Sequence, residues 1–147
     1  MLKQRCARWG WSNLFVWALF GFALETLHAF KSVSYLENEL TRLLLTLAHA
    51  HGVGLSLVVI LFGFAGTSLF GSTGNEARNA AFLILSASVL VPVGFVLGAV
   101  GHPEGDPSLG ILLAPAGALA LLLGVFQTAR AAWTETSDSP SQDTPDR

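Results

Sequence analysis

Charge is scarce in this chain. Of its 147 residues only 12% are Asp, Glu, Lys or Arg, against about 25% in an ordinary soluble domain. That leaves too few charges to cover a water-facing surface, and the length allows one compact domain plus a tail. Neither sign dominates: eight basic residues against ten acidic ones form no stripe that could track a phosphate backbone, which excludes a nucleic-acid binder. The lone cysteine, Cys6, excludes a disulfide scaffold. No internal repeat, G-x-G-x-x-G, P-loop or nucleophile elbow is present.

What the chain does have is long apolar runs. Charge-free stretches cover 9–24, 43–75, 79–103 and 107–129, and a bilayer-spanning helix needs roughly 20 mostly apolar residues. The last three suffice by themselves. The first reaches spanning length only by continuing through Glu25 and His28 to Phe30, which brings two ionisable groups to the edge of the hydrocarbon. The pattern predicts an all-α, integral membrane four-helix bundle with spans near 10–30, 43–68, 79–101 and 108–131, forming one domain over 1–133. A tail over 134–147, rich in Ser, Thr, Asp and Pro, is too polar to bury and is expected to be disordered. The first segment follows Lys3, Arg5 and Arg8 as a secretory signal would, but no A-x-A-like cleavage site follows it, and its Trp and Glu content is atypical, so it is read as a span. Ser34-Tyr-Leu-Glu37 has the form of a capping box, which would start the second helix ahead of Arg42.

Basic residues set the expected orientation. Lys3, Arg5, Arg8, Arg78, Arg130 and Arg147 fall on one side of the spans and only Lys31 and Arg42 on the other, so both termini are expected in the cytoplasm of a cell with this protein in its inner (plasma) membrane. Trp9, Trp11 and Trp133 fall at the same interface, where indoles are favoured.

With the helices threaded this way, Glu25, His28, His49, His51 and His102 all gather toward the outer face. Glu25 and His28, three apart, share one side of the first helix, while Arg42, His49 and Ser56, with Gly52 beside them, form a stripe on the second. His51 is about 200° around the helix from His49. The two cannot face the same neighbour, and the small residues on the stripe favour His49 as the one turned inward. The third helix has Gly94 and Gly98 at G-x-x-x-G spacing, and the fourth has Ala116, Ala120 and Gly124 at intervals of four, patterns that allow close helix packing or self-association. Pro92 and Pro115 fall within these helices and are expected to bend them.

Ionisable groups in membrane segments cost at least roughly 2.5 kcal/mol on insertion scales, which makes them functional candidates. Imidazole and carboxylate on facing helices suit a transition metal such as Cu, Zn or Fe, with His49, His51, His28, His102 and Glu25 as candidate ligands. Histidines on different helices equally suit axial ligation of haem b, with Arg42 and Lys31 placed to pair with the propionates. The C-x-x-C-H attachment of a c-type haem is absent, so a haem would be held non-covalently.

Arg42-Leu-Leu-Leu-Thr-Leu-Ala-His49-Ala-His51-Gly52, leading into an apolar helix, resembles the haem-ligand helix of subunit I of haem-copper oxidases and nitric oxide reductases. The resemblance covers about a tenth of the chain. It implies that His49 or His51 ligates a haem from the outer half of the bilayer. Four spans stand where that family has about twelve, and no later paired-histidine helix supplies a copper site, so it implies haem binding or electron transfer, without oxygen reduction. The leading expectation is therefore a small haem- or metal-binding membrane protein, acting in electron transfer or as an accessory to a respiratory complex, alone or as a homo-oligomer. Two other readings stay open. One is a cofactor-free structural subunit in which the histidines, Glu25 and Arg42 form a buried polar network. The other is proton-coupled transport of a small solute, which the inner halves serve poorly, offering only Ser12, Asn13, Thr67 and Ser68.

Overall fold

The computed structural model describes residues 1–70, 74–101 and 106–135. It is all-α, with four long helices, α1 (Leu2–Ala29), α3 (Glu39–Phe64), α4 (Gly74–Gly98) and α5 (Leu113–Glu135), and a single-turn helix α2 (Val33–Leu36). Short 3-10 segments over Gly66–Phe70 and Leu109–Leu112 lead out of α3 and into α5. Three of the long segments, Glu39–Phe64, Gly74–Gly98 and Leu109–Thr134, are long and apolar enough to cross a membrane. α1 is not among them. Its 28 residues extend about 42 Å at 1.5 Å per residue, but its first turns take in Lys3, Arg5 and Arg8 and its middle carries Asn13.

Local chemistry explains the boundaries. α1 ends in a Schellman-type turn: Ser32 N–H donates to the Leu27 carbonyl and Lys31 N–H to that of His28, both at 3.0 Å, with Lys31 in the left-handed region at φ 51°, a position that glycine usually fills. The expected capping box does not start the next long helix. That role falls to Asn38, whose side chain accepts from Thr41 N–H at 2.9 Å, while Val33–Leu36 forms its own turn ahead of it. α3 stops at Phe64, four residues short of the expected 68. The Thr67 hydroxyl donates to the Gly63 carbonyl and the Ser68 hydroxyl to that of Ala65, local bonds that compete with the helical ladder. Pro115 does not bend α5. It lies in the first helical turn, where backbone N–H groups lack intrahelical partners in any case, and the regular α-helix begins at Leu113, five residues later than expected.

Successive long helices run antiparallel. α1 packs on α3, α3 on α4 and α4 on α5, while α1 meets α4 at only a few positions. The α4–α5 contact is built on small residues. A Cβ on Gly94 would lie 2.5 Å from the Ala114 backbone nitrogen, and one on Gly117 or Gly124 would press on Leu90 and Val91 or on Ile84 at 2.8 Å. The G-x-x-x-G pair on α4 is thus consumed inside the molecule. On α5 the expected stripe holds in part: Gly124 is buried and Ala120 half-buried, but Ala116 is exposed and Gly117 is buried in its place. The main apolar core lies at the end where α1 begins and α5 ends, where Cys6, Val59, Phe62, Phe70, Ala77, Ala80, Ala81, Ile84 and Ala131 pack together. Toward the other end α1 and α3 part, and a cleft opens between them.

Candidate functional site

The cleft between α1 and α3 has a volume of about 860 Å³, within the size range of small-molecule sites. Its lining is apolar over Leu14, Ala18 and Val53, with the exposed Phe22 at its rim, and polar over Glu25 and His28 from α1, Tyr35 from α2, and Glu39, Arg42, Thr46 and His49 from α3. One antiparallel helix pair joined by a short corner therefore brings together residues far apart in the chain, such as Glu25 and His49.

His49 is held in one orientation. Its Nδ1–H donates to the Trp17 carbonyl oxygen across the helix interface at 2.9 Å, since a carbonyl can only accept. In the neutral ring this leaves the Nε2 lone pair uncommitted, and among the described residues Nε2 has no hydrogen-bond partner. The imidazole lies against Gly21, where a Cβ would fall within the ring, and the Trp17 indole lies against Gly52 in the same way. Each helix thus offers a glycine to the other's large ring. Trp17 is itself buried and meets Phe20 edge-on at 5.3 Å between ring centroids.

His51 faces the other way. Its Nδ1–H donates to the carbonyl of Leu47 within α3 at 2.8 Å, and its ring lies 5.0 Å from that of Phe95 on α4. It therefore belongs to the α3–α4 side and takes no part in the cleft. Lys31 does not line the cleft either; its backbone turns the chain at the end of α1. Arg42 does line it, but its partners are not Glu25: Nη1 donates to the Leu36 carbonyl at 3.3 Å, and Nη2 lies 4.0 Å from Glu39, whose side chain is 89% exposed. His102 lies outside the described residues. Among the described residues no three of His, Cys, Asp and Glu approach closely enough to hold a metal ion. Glu25, His28 and His49 share a cleft without forming a chelate.

A second polar cluster is not the expected one. Asn13 Nδ2 donates to the Ser56 hydroxyl at 2.9 Å and to the Ser88 carbonyl at 3.4 Å, and Trp9 Nε1–H donates to the Ser88 hydroxyl at 3.2 Å. Ser56 and Ser88 are fully buried and return their own hydroxyl protons to Gly52 and Leu85 carbonyls. The Ser88 carbonyl is the one that Pro92, four residues on, cannot serve, because proline has no N–H. Asn13 supplies the missing donor from another helix. The signals available in the sequence were a polar amide in an apolar stretch and a proline four residues after a serine; what joins them is visible only in three dimensions. Glu39 and Tyr35, also missed, carry the weaker signal of an E-x-x-R pair beside a lone tyrosine.

Cys6 is fully buried against Gly63. Burial pushes its thiol up from the ordinary range, partly offset by the charge of Arg5, so it is an inert core residue.

No protein-family profile, curated protein or solved structure matches the chain.

Proposed function

We propose that the chain is a multi-pass protein of an inner or plasma membrane, with both termini cytoplasmic, and that the α1–α3 cleft in the outer half of the bilayer binds haem b through His49, for electron transfer or in the service of a respiratory complex. Three long apolar helices support the membrane reading, as does the outer surface, where Phe15, Leu19, Phe22, Leu61, Leu122 and Phe126 are each more than half exposed. An apolar surface of that extent calls for a lipid covering.

The observation that carries the haem reading is the His49 Nδ1–H bond to the Trp17 carbonyl. A ligating histidine commonly donates its other ring N–H to a carbonyl or carboxylate, which orients the ring and raises its basicity. The donor set suits a macrocycle better than a bare ion: one oriented imidazole suffices for a haem iron, whereas a metal ion alone needs at least three protein ligands that the described residues do not bring together. In this reading His49 would supply Nε2 to the iron, the apolar part of the lining would cover the ring, and Arg42, seven residues and about 10 Å toward the start of α3, would sit near the propionates. His28 is the candidate second ligand on the opposite wall. A bound haem would supply a one-electron redox couple.

The test is the visible spectrum and metal content of the detergent-purified protein. A Soret band that is lost in His49→Ala and retained in His51→Ala supports the proposal; a colourless, metal-free protein that tolerates His49→Ala overturns it. The Trp9–Asn13–Ser56–Ser88 cluster favours a second reading, a cofactor-free accessory subunit held in register by polar contacts, and the colourless outcome would select it.

A further inference from the structure

The end of the molecule opposite the haem cleft carries a second kind of opening. α1 and α4 both pack on α3 and touch each other at few positions, near the Trp9–Asn13–Ser88 junction. Two adjoining clefts, of about 560 and 500 Å³, lie along α4 beside the start of α1 and share Arg5, Phe82 and Leu85 in their walls. Arg78 lines the first and Arg8 the second. Among the described residues neither cleft has an acidic residue in its lining.

The charge balance of this end is specific. Arg130 is paired with Glu76 at 3.7 Å and Arg42, at the other end, approaches Glu39. Among the described residues Arg5, Arg8 and Arg78 have no carboxylate partner. Glu76, the acid nearest Arg78 in sequence, is taken by Arg130. Among the described residues three guanidinium groups thus line one groove with no carboxylate to compensate their charge, and a guanidinium fork matches phosphate oxygens.

The order of residues along α4 adds a second requirement on the ligand. Arg78, Phe82, Leu85 and Val89 follow one another at spacings of four, three and four, so they form one stripe on the helix. It runs about 16 Å from charge into hydrocarbon. Phe82 is a large apolar ring left 70% exposed by the described residues. Cationic at the membrane surface and apolar below, the groove has the polarity profile of a phospholipid, and basic pockets between helices on the cytoplasmic side bind anionic head groups.

We propose that the α1–α4 groove is a site for an anionic phospholipid, its phosphate held by Arg5, Arg8 and Arg78 and an acyl chain lying along Phe82, Leu85 and Val89. The proposal rests on the membrane reading above and is independent of the haem. Its test is native mass spectrometry of the detergent-purified full chain titrated with phosphatidylglycerol or with phosphatidylcholine. The expected result is saturable phosphatidylglycerol adducts at concentrations at least tenfold below those for phosphatidylcholine. Each glutamine change at Arg5, Arg8 or Arg78 should weaken phosphatidylglycerol binding about fivefold, with R5Q/R8Q/R78Q abolishing the preference and K31Q, at the opposite end of the molecule, leaving it intact. If the triple variant loses its helical circular dichroism, R5Q and R78Q singly carry the test. Equal binding of the two lipids, or a preference that survives the arginine changes, overturns the proposal. Displacement of the lipid by millimolar glycerol 3-phosphate also overturns it, in favour of a soluble phosphate ligand. Release of the protein from membranes by alkaline carbonate would instead defeat the membrane reading itself, so the two failures are distinguishable.

Discussion

The bond from Asn13 to the Ser88 carbonyl makes a quantitative prediction, because it ties two substitutions on different helices into one cycle. Asn13→Leu removes the donors to Ser56 Oγ and to the Ser88 carbonyl. Interhelical polar bonds in membrane proteins contribute about 0.6 kcal/mol on average and up to about 1.7. A buried carbonyl left without a donor costs about 1 to 3 kcal/mol, and this one has no substitute within its helix while residue 92 is proline. Asn13→Leu should therefore destabilise by about 2 to 3 kcal/mol. Pro92→Ala alone should also destabilise, since Pro92 is among the most buried side chains and its loss leaves a cavity. It also restores a backbone N–H at 92 that can serve the Ser88 carbonyl. In the Pro92→Ala background, Asn13→Leu should then cost about 1 kcal/mol less than in the parent. Denaturant titration of the micellar protein, followed by circular dichroism, measures all four corners. Additivity within about 0.3 kcal/mol would refute the reasoning and reduce the contact to incidental proximity.

Gly21→Ala places a methyl group within the space of the His49 ring; it should cost about 1 to 3 kcal/mol by overpacking and much less in a His49→Ala background, read by the same titration. His51→Ala should remove its contact with Phe95 and its exposed bond to the Leu47 carbonyl, together about 1 kcal/mol, and leave ligand binding in the α1–α3 cleft unchanged; a lost Soret band in this variant would overturn the assignment of the two histidines. Lys31→Gly should raise stability by about 1 kcal/mol, because a left-handed backbone strains any side chain and Lys31 holds φ 51°. A destabilised Lys31→Gly protein would mean that the lysine side chain has a role in the turn.

Hydropathy made the four long helices legible, and their order and approximate extents with them. Boundaries were misread where hydroxyl side chains or prolines decided the end: Thr67 and Ser68 shorten α3, and Pro115 marks the start of α5 instead of a bend within it. The small-residue spacing on α4 was readable, but its partner was not, since the same glycines could have met a second copy. In the site, the gathering of Glu25, His28, Arg42 and His49 at one end follows from their positions along the helices. Angular spacing separated His49 from His51, because 200° around a helix is a property of the backbone alone. Which partner each would meet was beyond it.

The sequence by itself determined that this chain forms long apolar helices and that its ionisable residues collect at their ends, because segment length, hydropathy and helical rise are local properties of the chain. Only the tertiary structure decided that His49 is oriented by a carbonyl of α1, that Asn13 repairs the gap left by Pro92, and that Arg5, Arg8 and Arg78 line adjoining clefts while Arg130 takes Glu76. Those facts depend on how each helix is rotated and which neighbour it meets. That is set by close packing between glycines and rings far apart in the chain, for which no single segment carries the information.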